Sequence, residues 1–107
     1  MVILETKVFT RLITEMMNDD EYRLLQESLI KKPDIGAIIK GSGGLRKARW
    51  KLDGKGKSGG VRFIYYWVNA DDQILMMYIY QKSKLENLTL EQIAQLRKAI
   101  EKWKKDE

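Results

Sequence analysis

The sequence contains no cysteine and no histidine among its 107 residues. These absences exclude disulfides, thiol and imidazole catalysis, and the usual zinc sites. A metal ion would have to be bound by carboxylates alone. The acidic clusters at 19–21 and 71–72 are better explained as helix-cap and turn residues. We therefore expect no metal site and no other cofactor.

Long apolar runs are also absent. No run reaches the roughly 18 residues that a membrane span requires, and Glu5 interrupts the apolar start where a signal peptide would continue. We expect a cytoplasmic protein with no membrane partner. The chain length and the 44% hydrophobic residues fit one domain that spans residues 1–107.

Glycine is missing from most of the chain, since all eight glycines lie between Gly36 and Gly60. Positive charge is concentrated in the same region. Residues 40–62 contain eight basic residues and one acidic residue, a local charge of +7 in a chain whose net charge is +5. This local excess is typical of a phosphate-binding surface, although a flexible basic loop would have the same composition.

Hydrophobic periodicity predicts an α+β domain with a largely antiparallel four-stranded sheet. The predicted order is a strand, a pair of helices, three strands and a C-terminal helix. The predicted strands cover 2–8, 45–52, 61–69 and 74–82; the helices cover 9–17, the segment from Asn18 to Pro33, and the segment from Leu88 onwards. Two helix-cap signatures support these starts: Asn18 with Glu21, and Thr89 with Gln92.

Basic side chains are patterned on the predicted sheet. Lys47, Arg49 and Lys51 occupy alternate positions and therefore share one face of the second strand. Arg62 begins the next strand and Lys82 ends the last one, so a hairpin brings these two ends together. A three-residue loop or a bulge would make them cross-strand partners, whereas a loop of two or four residues would place them on opposite faces.

A pocket of cations forms if Arg62 and Lys82 converge with Lys47 and Arg49. Such a pocket could hold a phosphodiester and stabilise the extra negative charge of a pentacovalent transition state. These four residues are the candidate catalytic residues. The candidate RNA contacts are Lys40, Arg46, Lys51, Lys55, Lys57 and Tyr80.

Cleavage of RNA by its own 2′-OH needs little beyond such a pocket and some proton transfer. Without histidine, the acid and the base would have to be lysine, arginine or tyrosine, whose ordinary pKa values lie far above neutral. The pocket alone should therefore be a poor general ribonuclease. A large partner such as the ribosome could order the mRNA for in-line attack and supply the missing proximity.

Three segments carry a family resemblance: GSGGLRKARW at 41–50, GKGKSGGVRFIYYWV at 54–68, and YIYQKSKLENLT at 78–89. They resemble the RelE/ParE superfamily of bacterial toxins, most of all its RelE-like HigB group, over nearly the whole chain. The resemblance implies the toxin of a type II toxin-antitoxin system. Such a toxin is a metal-independent, ribosome-dependent endoribonuclease, or mRNA interferase, that inhibits translation and is held inactive by a cognate antitoxin.

The resemblance also implies roles for single residues. The family's two basic positions on the strand before the hairpin fall on Lys47 and Arg49, and the arginine that opens the following strand falls on Arg62. Lys82 stands where many relatives have arginine. The tyrosine base that some relatives place shortly afterwards has no counterpart here, and Tyr80 is not equivalent to it.

Two alternatives remain open at this point. The ParE branch of the superfamily poisons DNA gyrase by protein contact and does not cut RNA. A noncatalytic relative would use the same basic surface only to bind RNA. The four cations argue against a gyrase poison, because binding to gyrase does not require a phosphate pocket.

Overall fold

The computed structural model describes residues 1–51, 60–85 and 87–106 of the chain. Within this part of the chain, a mixed five-stranded sheet carries helices on both faces. The strands are β1 (Val2–Glu5), β2 (Ala37–Ile38), β3 (Leu45–Trp50), β4 (Val61–Val68) and β5 (Gln73–Gln81), and the helices are α1 (Lys7–Met16), α2 (Asp19–Lys31) and α3 (Leu90–Asp106). A short 3₁₀ turn, Asn69–Asp71, joins β4 to β5.

The sheet has the strand order β1-β5-β4-β3-β2. β1 is parallel to β5 and the other pairings are antiparallel, which confirms the α+β class and the largely antiparallel sheet. The predicted number of four strands is wrong, because β2 adds a fifth strand to the described part of the sheet. β2 has only two residues, too few to show the alternation by which a strand is recognised.

The first helix begins earlier than predicted. Thr6 follows the last residue of β1 and is the N-cap of α1. Its side-chain oxygen accepts a hydrogen bond from the backbone N–H of Phe9 at 3.1 Å. The same hydroxyl donates to the carbonyl of Met77 on β5 at 3.0 Å. The strand predicted to reach residue 8 therefore stops at Glu5. The β-branched residues of this segment had favoured an extended conformation, but the cap decides the boundary.

Both predicted helix caps are present. The side chain of Asn18 accepts a hydrogen bond from the backbone N–H of Glu21 at 2.8 Å. Thr89 and Gln92 form a reciprocal capping box with bonds of 2.8 and 3.1 Å. α2 ends before Pro33, as predicted. None of the described helices combines the length and the apolarity needed to cross a membrane.

Two apolar clusters hold the helices against the sheet. On one face, Phe9 and Ile13 from α1 and Leu25 and Leu29 from α2 pack with Phe63 and other strand residues. On the other face, Ile100 from α3 packs with Leu45, Ile64, Leu75, Met77 and Tyr80. Both faces of β4 and β5 are therefore covered, as the near-continuous apolar runs predicted.

A β-bulge at Met77 sets which side chains share a face of the β4–β5 hairpin. Beyond the bulge, Arg62 lies opposite Tyr80, and the backbone N–H of Lys82 donates to the carbonyl of Gly60 at 3.2 Å. Arg62 and Lys82 are therefore not direct partners, but both project to the same face. Without the extra residue they would lie on opposite faces, because side chains alternate along a strand.

Candidate active site

A cavity of about 320 Å³ lies at the end of the sheet where β3, β4 and β5 meet. It is lined by Ala37, Lys47, Ala48, Arg49, Arg62, Lys82 and Asn87. The structure thus brings together all four residues predicted to be catalytic. No acidic side chain is among the described residues that line the cavity. Elsewhere in the described part of the chain, no group of three or more acidic side chains is placed to hold a metal ion.

The strand register explains the convergence of the cations. Lys47 and Arg49 occupy alternate positions on β3 and therefore share a face. Arg49 lies directly opposite Arg62 on β4, and Lys47 lies opposite Ala37 on β2. Like charges directly across two strands destabilise a sheet. Cations kept this close together despite their repulsion are typical of a site that binds an anion.

Arg62 is the most buried of the four cations. It is 7% exposed, whereas Arg49 and Lys82 are exposed. One of its guanidinium nitrogens, Nη1, is 3.4 Å from the carbonyl oxygen of Val61 and donates to it. Charge interactions are stronger where water is excluded. Arg62 is therefore the cation best placed to act strongly on a bound phosphate.

Tyr80, the cross-strand partner of Arg62, is only 4% exposed and its ring lies in the cluster under α3. Burial raises the pKa of its hydroxyl, and the charge of Arg62 partly offsets this effect. Among the residues that the structure describes, its buried hydroxyl has no hydrogen-bond partner. The phenol is therefore neutral at physiological pH, and its ring packs in the apolar cluster under α3.

Arg46, a predicted RNA contact, lies on the opposite face of β3 from the cavity. Its guanidinium donates to the carbonyl of Gly36 at 2.8 Å and lies over the Trp67 ring at 5.8 Å from the ring centroid. Tyr65 contacts the same glycine, because its hydroxyl accepts from the Gly36 N–H at 2.9 Å. These contacts hold the segment before β2 against the sheet.

Two other predicted RNA contacts, Lys40 and Lys51, lie outside the cavity lining. Lys40, in the turn between β2 and β3, and Lys51, just after β3, are both exposed. Lys55 and Lys57 lie outside the described residues. A role for these lysines in RNA binding stays a prediction.

Sequence reasoning missed three residues of the cavity lining, Ala37, Ala48 and Asn87. Ala48 lies between Lys47 and Arg49 on β3. Ala37 enters through β2, the strand that was not predicted. Asn87 lies between β5 and α3, and its side-chain oxygen accepts a hydrogen bond from the ammonium of Lys47 at 2.9 Å. Nothing in the local sequence indicates this contact, because the two residues are 40 positions apart.

Replacing Tyr80 with phenylalanine should leave RNA affinity unchanged and raise the free energy of unfolding by about 1 kcal/mol, because a buried hydroxyl without a partner carries an unrecovered desolvation cost. Urea unfolding and RNA binding by filter retention measure the two effects. Tyr65→Phe is the matched control. It should lower stability by about 1–3 kcal/mol, since the Tyr65 hydroxyl donates to the Pro33 carbonyl at 2.6 Å. Weaker RNA binding by Tyr80→Phe would show that its hydroxyl reaches RNA.

The whole chain matches a known protein family. A family model described as the RelE toxin of the RelE / RelB toxin-antitoxin system matches residues 1–107. This match covers the helix pair, the sheet and the C-terminal helix alike. The narrower resemblance to the HigB group stays a prediction.

Two solved structures have a similar fold. A chain of the intact E. coli RelBE toxin-antitoxin complex superposes with a TM-score of 0.54 at 12% sequence identity, over 75% of this chain and 94% of that chain. A mutant of the E. coli toxin RelE in the free state, with two arginines replaced by alanine, gives a TM-score of 0.51 at 15% identity, over 79% of this chain and 86% of that chain. At these identities the likeness shows the fold alone.

Proposed function

The chain belongs to the RelE family of toxins from toxin-antitoxin systems, and from this premise we propose that it is a ribosome-dependent endoribonuclease that cleaves mRNA and inhibits translation. The proposal takes residues 1–107 as one toxin domain that acts in the cytoplasm. It assigns the catalytic role to Lys47, Arg49, Arg62 and Lys82. No metal or other cofactor takes part in the proposed reaction.

The observation that carries this proposal is the convergence of four cations on one cavity. Their mutual repulsion costs free energy in the unbound protein, and a phosphodiester anion would relieve it. The cavity volume of about 320 Å³ suits part of a nucleotide rather than a whole RNA helix. A basic surface that only binds RNA would not need to bring its charges together in a concave site.

The proposed reaction is an attack of the 2′-oxygen of the RNA on the adjacent phosphorus. The 2′-oxygen loses its proton as the bond to phosphorus forms, and the 5′-oxygen of the next nucleotide takes up a proton as its bond to phosphorus breaks. The products are a 2′,3′-cyclic phosphate and a 5′-hydroxyl. The cations stabilise the additional negative charge of the pentacovalent transition state, and the most buried of them, Arg62, contributes most.

Dependence on the ribosome follows from the limits of the cavity. The chain has no histidine to transfer protons at neutral pH, and one small cavity contacts too little RNA to impose in-line geometry. Holding the reacting groups in the attack geometry can supply roughly 7–11 kcal/mol of a barrier. The ribosome, which already holds the mRNA, supplies that positioning.

A cognate antitoxin is the second proposed partner. The E. coli RelBE structure contains a toxin with its antitoxin, and a chain of the same family needs equivalent control. Neutralisation can occur if the antitoxin covers the cavity with acidic side chains or docks elsewhere and blocks entry to the ribosome. Either mode would keep the toxin off translated mRNA.

The test is cleavage of one defined mRNA by the purified protein, with and without translating ribosomes. We expect cuts only on the translated message, and fragments whose new 5′ ends must be phosphorylated before they can be ligated. Primer extension maps the cuts, and kinase-dependent ligation identifies the 5′-hydroxyl. Intact mRNA with normal translation would overturn the proposal. Gyrase supercoiling and direct RNA-binding assays would then test the other two functions.

A further inference from the structure

Asn87 contacts one of the four cations of the cavity directly. Its side-chain oxygen accepts a hydrogen bond from the Lys47 ammonium at 2.9 Å, and both residues line the same cavity. Lys47 lies on β3 and Asn87 lies in the connection between β5 and α3. The contact therefore joins two walls of the cavity that are far apart in sequence.

A lysine side chain needs such a contact to keep one orientation. Its four-carbon stem has many rotamers, and fixing them costs conformational entropy. Lys47 is half-buried, so the burial of its stem alone does not fix the ammonium. A hydrogen bond from the cavity wall restricts the ammonium before the RNA arrives.

The position of Asn87 is itself well supported. Leu88, the next residue, packs in the apolar cluster under α3. Thr89 follows and forms the capping box with Gln92 at the start of that helix. The backbone that follows Asn87 is thus anchored by packing and by a helix cap, which limits how far the exposed Asn87 side chain can move away from Lys47.

We propose that Asn87 is a positioning residue for the RNA-cleavage reaction, because its amide oxygen holds the Lys47 ammonium in the orientation that meets the scissile phosphate. This inference rests on the proposed function and adds a residue to its site. Asn87 acts through Lys47 and not on the RNA. Its loss should therefore slow the chemical step without weakening the association of the toxin with ribosomes.

Kinetics of four proteins test the inference: the wild type, Asn87→Ala, Lys47→Ala and the double variant. Asn87→Ala should lower kcat by about tenfold, since small misplacements of a catalytic group are costly, while KM changes less than about twofold. In the Lys47→Ala background, the same substitution should have no further effect. An equal loss in both backgrounds would overturn the inference, because Asn87 would then act independently of Lys47. Asn69→Ala, in the β4–β5 turn, is the matched control and should keep the wild-type rate.

Side-chain NMR tests the contact without using the nuclease activity. In protein with ¹³C-labelled lysine, the order parameter of the Lys47 ε-carbon should fall in Asn87→Ala and stay at the wild-type value in Asn69→Ala. Asn87→Asp keeps an acceptor oxygen and should keep the order of Lys47. An unchanged order parameter in Asn87→Ala would overturn the inference even if cleavage by this variant is slower. A wild type that shows the expected order but cuts no mRNA would instead refute the proposed function.

Discussion

Arg62→Ala is expected to lower the single-turnover rate of ribosome-dependent mRNA cleavage by roughly 100- to 1000-fold, the loss typical when one group that stabilises transition-state charge is removed. Arg62 is 7% exposed, the least of the four cavity cations. Its charge therefore acts where water screens it least. The negative charge of the phosphate grows at the transition state, so the rate should fall much more than RNA affinity.

The measurement is a single-turnover time course on translated mRNA, with ribosome binding determined separately. Arg62→Lys keeps the charge but not the planar guanidinium, and should recover only part of the rate. Arg23→Ala is the matched control: it removes the same side chain from the exposed surface of α2, where Arg23 pairs with Asp20 at 3.6 Å. Urea unfolding verifies that the variants are folded. A loss of ribosome binding equal to the loss of rate would mean that Arg62 serves binding and not the chemical step.

Local signals predicted the helices because their determinants are close together in sequence. The cap at Asn18 and the capping box at Thr89 each involve residues three positions apart. Such short-range hydrogen bonds leave a direct trace in the residue types. The start of α1 was missed although its cap is equally local, since Thr6 accepts from the Phe9 N–H three residues on. The β-branched residues around Thr6 favoured a strand, and its second bond, to Met77 71 residues away, belongs to no local pattern.

The strands show the same distinction. The alternate spacing of Lys47 and Arg49 correctly predicted that both residues share one face of the strand. The bulge at Met77 could not be predicted from the sequence, because an extra apolar residue within an apolar run does not change the residue types of that run. The sequence therefore left the relative facing of Arg62 and Lys82 open, and the structure places both on the cavity.

The sequence likewise predicted only part of the candidate site. Its charges were predictable, since basic residues concentrated in one segment stand out in composition. Its uncharged lining was not predictable: Ala37, Ala48 and Asn87 have ordinary residue types at ordinary positions, and only the fold brings them to the cavity. The residue that positions a catalytic group is thus harder to predict than the group itself.

Gly60→Ala is expected to lower the free energy of unfolding by about 2–5 kcal/mol, the sum of a left-handed backbone strain and a steric clash. Gly60 has a φ of +55°, and an added Cβ would contact the carbonyl oxygen of Trp50 and approach the Cα of Lys51 to 3.0 Å. Both of those atoms belong to the backbone, so no side-chain rotation can relieve the clash.

Gly41→Ala separates the two causes of this loss. Gly41 also has a positive φ, +75°, but an added Cβ there would meet no atom within 4 Å. It should therefore cost only the backbone strain of about 1–2 kcal/mol. Urea unfolding of both variants gives the difference, with the m-value as a check that the denatured states are comparable. Equal losses would mean that the chain beside Trp50 shifts freely to accept the methyl group.

The same pair of variants connects stability to the cavity. The Gly60 carbonyl accepts the backbone N–H of Lys82 at 3.2 Å, and Gly60 directly precedes the strand that carries Arg62. A shift of this backbone moves two of the four cations, so Gly60→Ala should lower the cleavage rate at least about tenfold at a temperature where it is folded. Gly41→Ala should cut mRNA at the wild-type rate. Normal cleavage by folded Gly60→Ala would show that the placement of Lys82 does not depend on this glycine.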